Sequence, residues 1–417
     1  MSLNTELMGI NAAQTSIDTI GNNIANMNTE GFKGSKMEFA DLIGTSLEGT
    51  SGNTLTPGQG VVASNLSQLF TEGTISQTGN PLDLAINGQG FFQMQTDQGI
   101  MYTRAGSFQV STGGFLVDPS GNKLMGYTTA GSGSALGAVG DIQVSRSTLP
   151  ATATTTLGLN VTLPTTDAAI SAAFNPSNAS TFDESSATTV YDSVGTGYTL
   201  TSYFTRVSGS GTPNKWQVDW QLTDSTSGKA LASGTGPRLT FSSAGALTGA
   251  TSGAGTTVSV PTAKLPDGAS PLNVVYNFTG TALSSQTFGV NSITNNGNSA
   301  GTFTGIQINS TGQIVGQYSN GQTKAFGTIA LANFENPAGM TPMTGTFWQA
   351  TLASGPALLA APNTQGLGTV QSGALEGSNV DLSTQLVSLI VAQQAFQANA
   401  QAISYEQQNI QHLLNIQ

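Results

Sequence analysis

Leu382-Ser-Thr-Gln-Leu386-Val-Ser-Leu389-Ile-Val-Ala-Gln393-Gln-Ala-Phe396-Gln-Ala-Asn-Ala400-Gln-Ala-Ile403-Ser-Tyr-Glu-Gln407-Gln-Asn-Ile410-Gln-His-Leu-Leu414 decides how this chain is read. The numbered positions step by four and three without a break, the spacing of a coiled-coil seam, and all but Gln393 and Gln407 are apolar. The other faces carry Gln, Asn, Ser and Ala, with Glu406 the lone Asp, Glu, Lys or Arg in the stretch. A helix facing water normally wears Lys and Glu. A helix with amide faces is built to touch protein on more than one side.

A second seam opens the chain. Leu3, Leu7, Ile10, Gln14, Ile17, Gly21 and Ile24 alternate the same steps, beside a stripe of Ala13, Ile20 and Met27. Gly9, Gly21, Asn22 and Asn23 weaken a helix here by up to about 1 kcal/mol each. The spacing predicts a helix over residues 2–27. Either it packs on its own domain, or the two ends meet as a helical pair with the remainder inserted between them.

Composition narrows the function. The chain has 417 residues, enough for several cores, yet only 8% are charged against about 25% in an average globular chain. Net charge is −11, with 11 Lys and Arg in total and none after Lys324, which argues against nucleic acid. There is no cysteine, so disulfides and thiolate metal sites are ruled out. That suits either redox compartment, or an exported chain that must stay uncrosslinked in transit. The opening MSLNTELMGI lacks the basic and apolar regions of a secretory signal, and no run reaches the roughly 18 apolar residues that span a bilayer.

Between the helices the punctuation is that of β structure. Residues 28–71, broken by Gly31, Gly34, Gly44, Gly49, Gly52, Pro57, Gly58 and Gly60, read as an extended connector. Strands are expected at Leu82–Ile86, Phe91–Met94, Tyr102–Val110, Phe115–Val117 and Leu124–Tyr127, with a turn at Asp118-Pro-Ser-Gly-Asn122. Residues 128–150 read as a linker. Further strands are expected at Thr189–Asp192, Tyr198–Arg206, Trp216–Leu222 and Leu272–Phe278, with Ser242–Thr257 as loop. The pattern resumes at Thr304–Ile308, Ile314–Tyr318 and Thr328–Phe334, followed by a small-residue connector at 354–374. The expected fold is multi-domain: paired terminal helices (1–27 with 375–417), connectors (28–71 and 354–374), a discontinuous β domain (72–149 and 288–353), and a second β domain (150–287) inserted into the first.

No catalytic, cofactor or metal residues are assigned. His412 is the lone histidine, and no GxSxG, P-loop or GxGxxG stands between a strand and a helix. Asp118, Ser120 and Asn122 start like a calcium loop, but Pro119 and the missing Glu at the twelfth position make a plain turn.

Three groups of residues carry a family resemblance. Gly21-Asn22-Asn23-Ile-Ala-Asn26 with Gly31-Phe32-Lys33 resembles the N-terminal signature of bacterial flagellar rod and hook proteins. Thr78-Gly-Asn-Pro-Leu-Asp-Leu-Ala-Ile86, Gly90-Phe-Phe92 and Tyr102-Thr-Arg-Ala-Gly-Ser-Phe108 are similar to their β domain. Leu375-Glu-Gly-Ser378-Asn379-Val-Asp381-Leu382, Ile390-Val-Ala-Gln-Gln394 and Ala398-Asn-Ala-Gln401 match their C-terminal signature. Within that family the length and the middle β block favour the hook branch, as do Thr189-Val-Tyr-Asp-Ser193, Val315-Gly-Gln-Tyr-Ser-Asn-Gly321 and Ile329-Ala-Leu-Ala-Asn-Phe334. The connector over residues 45–60 is longer than in the shortest hook proteins, a feature shared with stiffer rod proteins.

The resemblance implies a helical homopolymer outside the cell: a flexible hollow tube that joins rod to filament and transmits torque as a universal joint. It implies the distal rod protein, hook–filament junction protein, hook cap and flagellar type III export apparatus as partners, with no nucleic acid and no membrane insertion. The expected subunit interface is the helical seam: Leu3, Leu7, Ile10, Ile17, Ile24, Leu382, Leu386, Leu389, Phe396, Ile403, Ile410 and Leu414. Flexibility is expected in the Gly-rich connectors and in the small polar surfaces between outer domains. Two other readings stand beside this one: another flagellar axial component, or a secreted β-rich adhesin or enzyme on a helical oligomerisation stalk.

Overall fold

The computed structural model describes residues 3–42, 60–129, 136–207, 214–251, 257–265 and 268–415. Most of the long 45–60 connector lies outside them. The described chain has two long helices, α1 (Leu3–Ala25) and α2 (Leu382–Asn415), and a mainly β body between them. It divides into two compact units, one of residues 1–146, 305–316 and 324–417, the other of 147–304 and 317–323.

In the first unit α1 and α2 pack together, and the predicted helical pairing holds. The described parts of the connector expected at 28–71 are structured instead. Strands β1 (Ser35–Asp41) and β2 (Val61–Gln68) pair antiparallel from Ser35↔Gln68 to Asp41↔Val61, and both lie on α1. The polar, glycine-broken sequence hides them because neither is a core strand. Both are largely exposed, so they lack the apolar alternation that marks a strand. The second connector is corrected likewise, since Leu358–Ala360 pairs with Leu331–Asn333 and Thr369–Ser372 with Leu84–Asn87.

The body of this unit is an antiparallel sheet around Phe91–Thr96, which pairs with Gly99–Thr103, Lys123–Thr129 and Leu331–Asn333. An aromatic cluster of Phe91, Tyr102, Phe334 and Trp348 packs on one side, and Phe70, just past β2, joins it edge-on at 5.5 Å from both Phe91 and Trp348. Asp118 closes the predicted turn by accepting from the Ser120 and Asn122 backbone N–H groups at 2.9 and 2.8 Å. The linker expected at 128–150 contains a strand, Leu136–Asp141, paired with Lys123–Thr129.

The second unit is a sandwich of two five-stranded sheets. One is a meander from Glu184 to Thr251. In the other, Thr156–Pro164 runs parallel to Leu272–Asn277 and Ala282–Ser284 and antiparallel to Gly289–Asn295. Trp216, Val218, Leu222, Phe204, Leu159, Val161, Val274 and Tyr276 fill the core between them. The loop expected at 242–257 contains the strand Leu247–Thr251. The strand Ala230–Phe241 escapes sequence reading because Gly234, Gly236 and Pro237 look like breakers. Gly234 is there for space: a Cβ would stand 2.9 Å from the Trp220 indole.

Candidate assembly surface and its buried junction

The helix pair closes on small residues. A Cβ on Gly9 would stand 2.7 Å from Asn399 Oδ1, and Asn23 Nδ2 donates to Gln385 Oε1 at 3.3 Å. Moving from 9 to 23 on α1 moves from 399 back to 385 on α2, so the helices are antiparallel at constant register. Ala13 and Ala392 are buried. The contact face of α1 is therefore the Gly9, Ala13 and Asn23 side. Small residues win there because they let two backbones approach closely enough to exclude water.

The predicted apolar seam is placed differently. Ile10, Ile17, Ile24, Leu389, Phe396 and Ile403 are half-buried, and Leu3 heads α1. Leu7, Leu382, Leu386, Ile410 and Leu414 are exposed, Leu414 at 68%. Val387, Ile390 and Val391 are also exposed and widen the apolar surface on α2. Scattered exposed apolar residues are ordinary, but a run along one charge-poor helix marks an interaction surface.

Below the helix pair a buried charge cluster ties remote segments together. The Lys33 ammonium lies 2.6 Å from Glu376 Oε1 and donates to the Thr71 carbonyl at 2.7 Å. Arg104 Nη1 donates to Glu376 Oε2 at 3.1 Å and Nη2 to the Gly88 carbonyl at 2.8 Å, while its guanidinium sits over the Phe91 ring. The Gly73 N–H donates to Glu376 Oε1 at 2.9 Å. Both side chains of the Lys33–Glu376 pair are fully buried. Burial pulls the Lys33 ammonium below its ordinary pKa, against the opposing pull of Glu376.

The remaining signature residues surround this cluster. Gly31 adopts φ +65°, and its N–H donates to the Glu376 carbonyl at 2.8 Å. A Cβ there would stand 2.4 Å from the Ala105 nitrogen, so only glycine fits. Asn379 accepts from the Gly34 N–H at 2.8 Å and donates to the Leu69 carbonyl at 2.6 Å. Asn23 exchanges two hydrogen bonds with the Ser35 backbone. Asn26 Nδ2 donates to the Asn22 carbonyl at 2.9 Å at the end of α1, and the Ser378 hydroxyl accepts from the Val380 N–H. Asp381 caps α2 by accepting from the Thr384 hydroxyl and N–H, which hold its carboxyl below the usual range. Gly21 faces open space and Phe32 is half-buried.

Glu376 and Arg104 stand inside the quoted signature stretches, where residue order assigns neither an individual role. Their signal was scarcity: in a chain this poor in charge, Arg104 directly follows the apolar strand Gly99–Thr103 and Glu376 ends Ala374–Glu376 beside Leu375. Among the described residues no helix is long and apolar enough to cross a membrane.

Sequence comparison finds relatives along the whole chain. Residues 3–33 match the family described as flagella basal body rod protein, and 85–171 the flagellar hook protein FlgE/F/G D1 domain. Residues 158–298 match the flagellar basal body protein FlaE D2 domain, and 371–416 the flagellar basal body rod FlgEFG protein C-terminal family. The flagellar hook protein FlgE of Escherichia coli K12 is 36% identical over 425 aligned residues that span 100% of both chains. That of Borreliella burgdorferi is 30% identical, spanning 100% of this chain and 99% of its own. The crystal structure of the Helicobacter pylori flagellar hook protein FlgE2 superposes with a TM-score of 0.55 at 15% identity, over 72% of this chain and 100% of its own. That is a likeness of fold.

Proposed function

The chain belongs to the flagellar hook protein family, and from that premise we propose how its surfaces build the polymer. It is a structural subunit of the flagellar hook. Its copies associate through the exposed apolar surface of the helix pair, with Leu7, Leu382, Leu386, Ile410 and Leu414 as contacts. The observation that carries this is the uncovered stripe on α2, where Leu386 and Ile390 stand 45% and 54% exposed on a helix with almost no charge. In a helical polymer each side chain recurs in every copy, so a surface charge becomes a ladder of like charges. Amide-rich faces avoid that repulsion while still offering hydrogen bonds.

The role is structural rather than catalytic. The assembled tube is hollow and extracellular, transmits torque while bending, and is exported by the flagellar type III route. Its neighbours are the distal rod protein, the junction protein and the hook cap. Residues 150–287 form an outer β domain inserted into the body, a reading supported by the separate 147–304 unit and by distinct family matches over 85–171 and 158–298. The paired strands and buried charges at 28–71 and 354–376 favour bending at contacts between copies over bending within these segments.

Leu386→Asp tests the assembly surface. The side chain is exposed in the subunit, so circular dichroism and thermal melting of the free chain are expected to stay unchanged while tube formation is lost. Tubes of normal yield and length from this variant would refute the reading.

A further inference from the structure

Among the described residues of the hook subunit, two apolar features have no partner, and they lie on different surfaces. The first is a groove of about 1090 Å³ between α1, α2 and the β1–β2 pair. Ala13 and Ala392 line its buried part, with Phe39, Leu69, Val387 and Val391 around them. Val387 and Val391 remain 63% and 59% exposed. The second is the end of α2. The antiparallel register sets Leu3 level with Tyr405, so residues 406–415 run on past the described start of α1 for about 15 Å. Ile410 and Leu414 share one face of this overhang, 46% and 68% exposed, and no Lys, Arg, Asp or Glu follows Glu406.

We propose that the overhanging end of α2 from a second copy of the chain seats Ile410 and Leu414 in this groove. The inference rests on the hook-subunit reading and names the contact that reading leaves open. The tip of a subunit's own α2 cannot fill its own groove, because α2 is helical through Asn415 and carries Ile410 about 28 Å from Val391 along its axis. Chemistry agrees on both sides. An uncharged tip with anchors at i and i+4 enters an apolar groove, the recurring helix-in-groove mode. The charged groups lining the groove, Lys36 and Asp41, are of opposite sign and leave it no net charge.

Geometry supplies the strongest reason. A contact between two unlike surfaces is heterologous, so a copy that fills its neighbour's groove still offers its own groove to the next. Such contacts propagate as open helical assemblies wherever the rotation between copies does not close a ring, whereas a self-complementary contact closes into a dimer. A tube that grows needs the first kind.

The test uses the full-length chain with the photo-cross-linking residue p-benzoylphenylalanine in place of Val391. A mixture of isotopically light and heavy copies is assembled, irradiated and digested with chymotrypsin, since no Lys or Arg follows Lys324. The expected result is light–heavy cross-links to the peptide containing Ile410 and Leu414. Leu414→Asp, without the cross-linker, is expected to cut polymer yield at least tenfold while free-chain melting stays unchanged. Tubes whose cross-links fall on another segment or within one copy, or an unchanged yield for Leu414→Asp, would overturn the groove contact and leave the hook reading standing. A parent chain that forms no tubes would sink both.

Discussion

Glu376→Ala removes the one carboxylate that two buried cations share. Lys33 would keep the Thr71 carbonyl, and Arg104 the Gly88 and Ile86 carbonyls, but neither would have a contacting counter-charge. Glu72 adds weaker attraction to Lys33 without touching it. The Gly73 N–H would also lose its acceptor. Breaking a buried pair by deleting one partner typically costs about 3–5 kcal/mol, because the penalty is the stranded charge rather than the lost attraction. With two cations stranded, we expect the upper part of that range for the 1–146/305–316/324–417 unit. Urea unfolding followed by hydrogen exchange at the Gly31, Gly73 and Gly377 amides measures it locally. The 147–304 unit, with its own core, serves as an internal reference whose transition stays in place. The triple change Lys33→Met, Arg104→Met, Glu376→Leu is expected to recover much of the loss, since apolar residues of similar volume often replace a buried ionic triad at little cost. A loss below about 1 kcal/mol for Glu376→Ala, with the three amides still protected, would refute the claim that this cluster holds the junction.

Two further outcomes follow from single side chains. Gly31→Ala is expected to cost more than about 1 kcal/mol, since it combines a positive φ with a clash against the Ala105 backbone. Thermal melting of the variant checks this, and an unchanged melting temperature contradicts it. In the 147–304 unit, burial and then Asp192 push the Tyr198 phenol up to about 12. Above about pH 10 an unfolded tyrosine ionises while this folded one does not. Its contribution is therefore whole below about pH 10 and is lost as pH climbs to about 12. Burial raises Tyr276 as well, so Tyr198→Phe should shallow the alkaline decline in stability without abolishing it. An identical alkaline slope in the variant would contradict the assignment.

Much of the layout could be read from residue order alone. Both helices, the strands with strong apolar patterns and the turn at Asp118 follow from spacing and turn chemistry that neighbours in sequence supply. The signature residues were visible too, yet their roles were not. Nothing in Gly31-Phe32-Lys33 says that the ammonium meets a carboxylate from Glu376, or that a Cβ on Gly31 would stand 2.4 Å from the Ala105 nitrogen. The strands at 35–41, 61–68 and 136–141 were invisible for a related reason. The first two are mostly exposed and the third has no buried residue, and a strand that buries little has no apolar alternation to show.

Sequence by itself determined that α1 and α2 have apolar faces and almost no charge, hence the expectation that they meet protein on several sides. Only the tertiary structure decided which face meets which partner. Periodicity reports that a stripe exists, and it weights Leu and Ile above Gly and Ala. Close packing of two helices rewards the opposite, since backbones approach only where side chains are small. Gly9, Ala13 and Ala392 therefore close the pair within one subunit, and Leu386, Ile410 and Leu414 stay exposed on its surface.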